Sequence, residues 1–437
     1  MSNTTYGVAL LGFGTVGRGV YDLLHSGAAL AIPQKHGVDF KVKHILVRTP
    51  KNPRYSGIPA NLFSKDIDSI IKDEAVDIVV EVMGGIDPAK DYILSALKAG
   101  KAVITANKDL MGTHGEEVAK KAKEHGCFLG YSAAITGAHQ LAESIANSVR
   151  VRSLRGVFNG TSNYILTRME EENLDFDVAL KEAQNAGYAE SDPSADVDGF
   201  DTQYKLTLLT NLAFGVFLHA DDIHTSGIRN VRSRDIKMAA ELGYKIKLVG
   251  ETRLNSDGKL EAQVGACLIP ADDLLNRARG INNAIEVDDY LRGTQGLIAE
   301  GAGAKPTAMA IYSDLVNFIK GKSVLWPVVK GGDAPKVSTR KKLRQRFYVR
   351  LDVKNSPGSL AEIAKVFSRR SINIGSVFQP EADEAAETAG IVVTCGPTVR
   401  NILEKALNDV RELTEVVIGE PLFLPIIKTG ETLEAAA

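Results

Sequence analysis

Over the first third of the chain, short, mostly apolar runs alternate with stretches whose apolar residues recur at helical spacing. Gly7–Leu11, Phe40–Val47, Val76–Val82, Ala102–Thr105 and Cys127–Tyr131 are brief and mostly apolar, which predicts strands largely buried on both faces. Helices are predicted over Val16–Leu24, over Pro88–Ala99 with Asp87 as N-cap and Gly100 as stop, and over Gly115–His125 before Gly126. Such alternation predicts an α/β fold with a doubly wound parallel sheet. From about residue 150 to 300 the pattern becomes α+β. Helices are predicted over Phe176–Ala186 and Thr202–Phe214, and strands near Tyr244–Val249 and Leu260–Leu268. Pro306–Ile319 again reads as a helix.

Residues 331–346, GGDAPKVSTRKKLRQR, carry turn formers and a basic run and read as a linker. Beyond it, a strand over Phe347–Lys354, a helix over Leu360–Arg369 and strands over Ile372–Gln379 and Gly390–Cys395 are predicted. A helix over Val399–Asp409 and a strand over Glu415–Glu420 complete a βαββαβ, ferredoxin-like order. Ser359 and Glu362 have capping-box spacing at the start of its first helix. The chain therefore divides into a nucleotide-binding unit at 1–134 completed by 301–325, a second unit at 135–300, the linker and a terminal unit at 347–422.

Composition changes this picture only by exclusion. The 437 residues carry a net charge of −2, which gives no electrostatic reason to expect nucleic acid or an anionic membrane as partner. Three widely spaced cysteines, Cys127, Cys267 and Cys395, suggest neither a disulfide framework nor a zinc site and fit a reducing cytoplasm. The N-terminus lacks the basic and apolar regions of a signal peptide.

Two stretches carry chemistry. GFGTVGRG (12–19) fits G-x-G-x-x-G between a strand and a helix. Gly12 permits the tight turn, Gly14 lets a pyrophosphate approach the backbone, and Gly17 allows close packing of helix on strand. Phe13, Thr15 and Val16 complete this candidate cofactor loop. After the second strand, where an NAD-preferring fold carries an acid, stand Arg48 and Lys51. Both suit the 2′-phosphate of NADP, although NAD stays open because exposed cations are common on loops. AVITANK (102–108) ends a strand, placing Thr105 and Lys108 at the carboxyl edge where open parallel sheets bind ligands.

The other stretch, AESDPSADVDGFDTQYK (189–205), crowds acids before a lysine. At about 100° per residue, Lys205 falls on the apolar stripe of Leu208, Leu209 and Leu212, with Asp201 one turn earlier on the same face. Gln203, Thr207, Thr210 and Asn211 take the opposite side. A lysine there is seldom buried alone. It reads either as half of a structural ion pair, as a side chain that snorkels to the surface, or as a cavity-lining proton donor for a developing alkoxide. The neighbouring carboxylates would suit a substrate ammonium group.

With GVFNGTSNYIL (156–166), AQNAGYAESDPSADVDGFDTQYKL (183–206) and GAGAKPTAMAIYSDL (301–315), these motifs resemble homoserine dehydrogenase over nearly the whole chain. KNSPGSLAEIAKVF (354–367) and INIGSV (372–377) resemble an ACT domain. The resemblance implies NAD(P)-dependent interconversion of aspartate 4-semialdehyde and homoserine in threonine and methionine biosynthesis. It makes Lys205 the proton donor, sets Lys108 between cofactor and substrate, and lets Asp201 position Lys205. Glu190 and Asp196 would hold the substrate's amino end, with lesser roles for Asn159, Gly160 and Thr161. Gly301 and Gly303 would close over the cofactor. Main-chain oxygens of Ile135 and Gly137 would hold Na⁺ or K⁺, although SAAITGAHQ (132–140) departs from the family pattern at Ser132, His139 and Gln140. Asn355, Pro357, Gly358 and Leu360 would mark the turn that meets an allosteric amino acid, L-threonine. Assembly would be a homodimer or higher, through the central and ACT domains. A related dehydrogenase with another semialdehyde substrate, or a non-catalytic amino-acid sensor, are the competing readings.

Overall fold

The computed structural model describes residues 4–135, 145, 151–255, 257–300, 303–321, 335–338, 344–379 and 387–427. The first sheet contains β1 (Thr4–Leu11), β2 (Val38–Leu46), β3 (Phe63–Ser64), β4 (Ile78–Glu81), β5 (Ala102–Thr105) and β6 (Leu129–Gly130), in the order β3-β2-β1-β4-β5-β6. Every pair is parallel. Strand residues alternate between two cores. Val8, Leu10, Ile78 and Val80 pack with the Thr15–Leu24 helix, while Ala9, Leu11 and Val79 face the other side. The Ala304–Ile319 helix returns to this sheet, burying Ala308, Ile311 and Leu315 beside Leu10.

The second sheet holds β7 (Val151–Val157), β8 (His224–Thr225), β9 (Tyr244–Leu254), β10 (Leu260–Pro270), β11 (Asn282–Asp289) and β12 (Gly293–Glu300). It continues through β13 (Arg344–Lys354), β14 (Ile374–Phe378), β15 (Thr388–Val399) and β16 (Leu422–Ile426). The order is β12-β11-β7-β9-β10-β16-β13-β15-β14, with β8 paired to β10. β16 is thus shared: it runs antiparallel to β13 over five pairs, but meets β10 at the single parallel pair Leu268–Ile426. Tyr348 and Leu424 are buried in the same core cluster as Leu11 and Leu206, so one core reaches from the first sheet to β13 and β16, beside the separate core of Phe347, Val393 and Leu403.

Several predicted elements shift. The last strand is Leu422–Ile426, not Glu415–Glu420, of which only Val417 makes a bridge, to Val353. The linker ends early, because Arg344–Arg346 already belong to β13, and Val337 bridges Leu260. Residues 339–343 of its basic run lie outside the described residues. The capping box does not form. Gly358, at φ 94°, is the N-cap, and Ser359 instead donates to the Lys354 carbonyl. Pro88 rather than Asp87 precedes the helix, which begins at Ala89. The helix predicted from Gly115 begins two turns earlier, at Lys108, where Asn107 accepts from Leu110 N–H at 3.1 Å.

Candidate active site

The site is built where β7 ends and three helices converge. Asn159 caps the Gly160–Glu172 helix, its side-chain oxygen accepting from Ser162 N–H at 2.7 Å. Its amide group then donates to Asp196 at 2.6 Å and Asp201 at 2.9 Å. Gly160 is required by contact, since a Cβ there would lie 2.7 Å from the Ile281 carbonyl oxygen.

Asp201 and Lys205 lie on one face of the Phe200–Phe214 helix, and the pair predicted from their spacing forms, with Lys205 Nζ 2.8 Å from Asp201 Oδ2. Lys205 also donates to the Phe158 carbonyl at 2.7 Å, so it is buried with two partners and does not snorkel. The other Asp201 oxygen takes Lys108 from the start of the Lys108–Glu124 helix. The two helices come this close because Gly112 has no side chain; a Cβ would sit 2.9 Å from the Tyr204 ring.

The expected polar side of the Phe200–Phe214 helix is also buried. Gln203 donates to the Ala220 and Ile223 carbonyls, Thr210 bonds Thr252, and Asn211 exchanges hydrogen bonds with Leu218. The helix is a central strut and not a surface element, and these four polar side chains are paired as burial demands, Thr207 through the Gln203 carbonyl.

Burial alone would raise the Asp201 carboxyl. The Lys205 and Lys108 charges overcome it, with help from Asn159, and hold it far below the usual carboxylate range. Burial opposes the Lys108 charge too, but the attraction of Asp201 lifts its proton affinity above that of an ordinary lysine. Asp196 moves the other way. Burial raises it against the Asn159 hydrogen bond, and the Asp201 charge adds to the rise. Two neighbouring acids are therefore driven apart by their surroundings.

Thr161 donates to the Tyr188 carbonyl at 2.7 Å. Glu190 is exposed; its carbonyl accepts from Gln184, and its carboxylate stands outside the Asn159–Asp196–Asp201 network. Ile135 is fully buried in a short Ser132–Ile135 helix, while Gly137, His139, Gln140 and Gly301 lie outside the described residues. Ser132 donates to Asp314 at 2.6 Å, tying that segment to the returning helix.

At the Gly-rich turn, Gly12 N–H donates to the Leu46 carbonyl at 3.0 Å, which sets the turn beside the end of β2. Gly12 holds φ 105°, and a Cβ on Gly17 would meet Gly12 oxygen at 2.3 Å. A Cβ on Gly14 would meet nothing within 4 Å, so open space lies where a pyrophosphate would approach. Phe13 turns inward, edge-on to Tyr21 and Tyr55, while Thr15 begins the helix that Val16 and Gly17 continue. Gly303, at φ 124°, precedes the returning helix. These residues fit a dinucleotide. Arg48 and Lys51 are exposed just beyond β2.

Glu81 was not singled out in the sequence. It ends β4, fully buried, accepting from Thr105 Oγ1 at 2.6 Å and Met83 N–H at 2.7 Å. Burial raises its carboxyl above the usual range against those hydrogen bonds. Thr105 is buried as well, and its hydroxyl serves Glu81 and Asn107 N–H. An acid closing the apolar run Ile78–Val80 was the available signal.

Family models described as "Homoserine dehydrogenase, NAD binding domain", "Homoserine dehydrogenase" and "AHAS small subunit-like ACT domain" match residues 12–131, 138–316 and 349–418. The chain is 34% identical to the homoserine dehydrogenase of Pseudomonas aeruginosa, covering 94% of this chain and 96% of that protein. It is 37% identical to that of Corynebacterium glutamicum, over 89% and 88%. The crystal structure of a homoserine dehydrogenase from Thiobacillus denitrificans superposes with TM-score 0.89 at 30% identity, covering 98% of this chain and all of that one.

Proposed function

The chain belongs to the homoserine dehydrogenase family and is an NAD(P)-dependent oxidoreductase, and on that premise we propose that Lys205 is its proton donor to the carbonyl of L-aspartate 4-semialdehyde. The observation that carries the reading is the Lys108–Asp201–Lys205 chain, its Asp201 and Lys205 buried and its Lys108 half-exposed, with Asn159 joining it to Asp196. NAD(P)H, when bound, supplies the hydride. Lys205 gives its proton to the oxygen as charge develops there, and takes it back during homoserine oxidation. Asp201 holds both lysines in place. Lys108 orients the carbonyl beside the cofactor loop, and Asp196 with Glu190 receives the substrate ammonium group.

NADP preference is supported by Arg48 and Lys51 after β2, where no acid stands. Regulation by L-threonine at the Asn355–Leu360 turn is the matching proposal for the ACT domain. The domain boundaries are proposed as read from the sequence, except that the terminal unit spans 344–426, from its first strand to its last. A homodimer is supported by the two sheet edges: β12 and β14 are largely exposed, with Ile298, Val377 and Phe378 on the surface, and such edges are ordinarily covered. Of the monovalent-cation ligands, Ile135 alone is described, and no step is routed through a cation. In steady-state assays, homoserine oxidation should proceed faster with NADP than with NAD at low cofactor concentration. Lys205→Ala should lower kcat at least about 10²-fold while fluorescence titration of NADPH stays unchanged. Retained turnover would remove Lys205 from this role.

A further inference from the structure

A cavity of about 680 Å³ opens between the second unit and the ACT-like unit. Its origin is the strand shared by both. β16 meets β10 only at its last residue, in the Leu268–Ile426 pair, so the preceding Leu422–Leu424 form one wall, and the loop after β8, from Ser226 to Arg232, forms the other. Such a volume suits a small metabolite.

The lining is dominated by arginine. Arg229, Arg232, Arg350, Arg400 and Arg411 face it, against two acids, Asp198 and Glu420. Each arginine has a carboxylate partner. Arg229 holds Asp198 at 2.6 Å, Arg400 holds Glu404 at 2.9 Å, Arg411 holds Glu420 at 2.7 Å, Arg232 holds Asp352 at 3.1 Å, and Arg350 holds Asp235. A guanidinium carries five N–H groups, so these pairs leave donors over. Arg350 supplies the decisive case. Its side chain is only 4% exposed, and its buried Nε has no hydrogen-bond partner among the described residues. A buried, unpaired, charged donor is costly unless something accepts from it. The Phe423 ring, with Arg400 at 4.9 Å over its face, adds an apolar surface.

We propose that this cavity binds a small organic dianion, a dicarboxylate or a phosphate ester, and that occupancy acts on the segment carrying Asp196 and Asp201. None of Asn355, Pro357, Gly358 and Leu360 lines it, so it is separate from the turn assigned to threonine. The route to the active site is short. Arg229 grips Asp198 through Nε and one terminal nitrogen and reaches Ser194, in the short Ser194–Val197 helix that carries Asp196 and leads into the Phe200–Phe214 helix. Gly227 lies against the same segment so tightly that a Cβ would sit 2.2 Å from the Val197 oxygen. An anion that draws Arg229 off Asp198 releases one tether of that segment. The coupling rests on the proposed roles of Asp196 and Asp201; the binding does not.

Calorimetry on the full-length protein with inorganic phosphate, succinate and acetate tests the binding directly. Succinate or phosphate should bind at least about tenfold more tightly than acetate, and the tighter of the two names the source. Arg400→Gln with Arg411→Gln should weaken that binding at least about tenfold, and Lys365→Gln, outside the lining, should not. Arg411→Gln alone, paired only with exposed groups, replaces the double variant if that fails to fold. No binding of either dianion up to about 10 mM, or equal binding by the arginine variants, overturns the site. The saturating dianion should also shift the homoserine KM at least twofold in the wild type and not in the arginine variants. Binding without that shift overturns the coupling alone, and a shift preserved in the arginine variants assigns it to competition at the active site.

Discussion

Asp201 accepts one ammonium group on each oxygen, and that arrangement governs the chemistry at the smallest scale. Its carboxylate stays ionised in the fold well below the pH at which a free aspartate, with a pKa of about 3.9, takes up a proton. The unfolded chain therefore binds more protons as the solution is acidified. The stability conferred is complete above about pH 4 and is lost as pH falls through the depressed folded value. In urea unfolding followed between about pH 5 and 3, Asp201→Asn should show a shallower fall in stability than the wild type, and its kcat should drop at least about 10²-fold. An equal slope would mean that the ion pairs contribute nothing to acid stability. The Asp201–Lys205 half of this site was legible because it lies within one helical turn. The Lys108 half spans 93 residues of sequence, and only the fold brings it near. Glu81 stayed hidden for a different reason: one acid in an apolar strand does not disturb the pattern that predicts the strand.

Among elements, β9 carries a second buried lysine. Lys247 donates to Asn163 at 2.7 Å and to the Ala278 carbonyl at 3.1 Å, tying the strand to the helix that Asn159 caps. Burial pushes its pKa down to about 8. Between that value and the ordinary one of about 10.4, the unfolded chain holds the extra proton, so stability should rise with pH across this window. Lys247→Met should abolish that rise in chemical denaturation at pH 8 and pH 10, while lowering stability by about 1–3 kcal/mol at pH 7, because the buried Asn163 side-chain oxygen loses its donor. A rise that persists in the variant would assign it to other groups. Helix interiors and sheet strands were legible from periodicity, whereas ends depended on local partners. Ser359 had the spacing for a cap, but the Lys354 carbonyl took its hydroxyl. The terminal strand was missed because Pro425 reads as a breaker. Ile427 N–H points toward β10, and by the two-residue repeat the Pro425 nitrogen faces the same way, where the ladder has already ended.

At the scale of the whole molecule, the βαββαβ order predicted from the sequence does not stand apart as an appended module. Its sheet continues into the second unit, and Tyr348 and Leu424 are buried in the core that also holds Leu11 and Leu206. Nothing in a linear pattern announces that a strand serves two sheets, because each strand face looks the same whichever neighbour it meets. Calorimetry should record the second unit and the ACT-like unit melting together. Leu424→Asp, which buries a carboxylate in that core, should lower stability by about 3 kcal/mol or more and split the transition in two. A single undivided endotherm in the variant would show that the units are joined by other contacts.

The lone Leu268–Ile426 rung has a mechanical consequence. One hydrogen-bonded pair by itself resists rotation poorly, because resistance to torque needs attachments spread along a lever, and here those are the Tyr348 and Arg350 contacts to Asp235 and the Arg232 and Arg234 pairs to Asp352. Leu422 stands four residues from the rung, about 13 Å along the strand. A swing of about 10° about the rung would carry it about 2 Å while Ile426 scarcely moved. The dimension that such a swing would change most is the gap between Leu422 and the Ser226–Arg232 loop, so the side-chain braces on Asp235 and Asp352, and not the rung, set the width of the arginine-lined cavity.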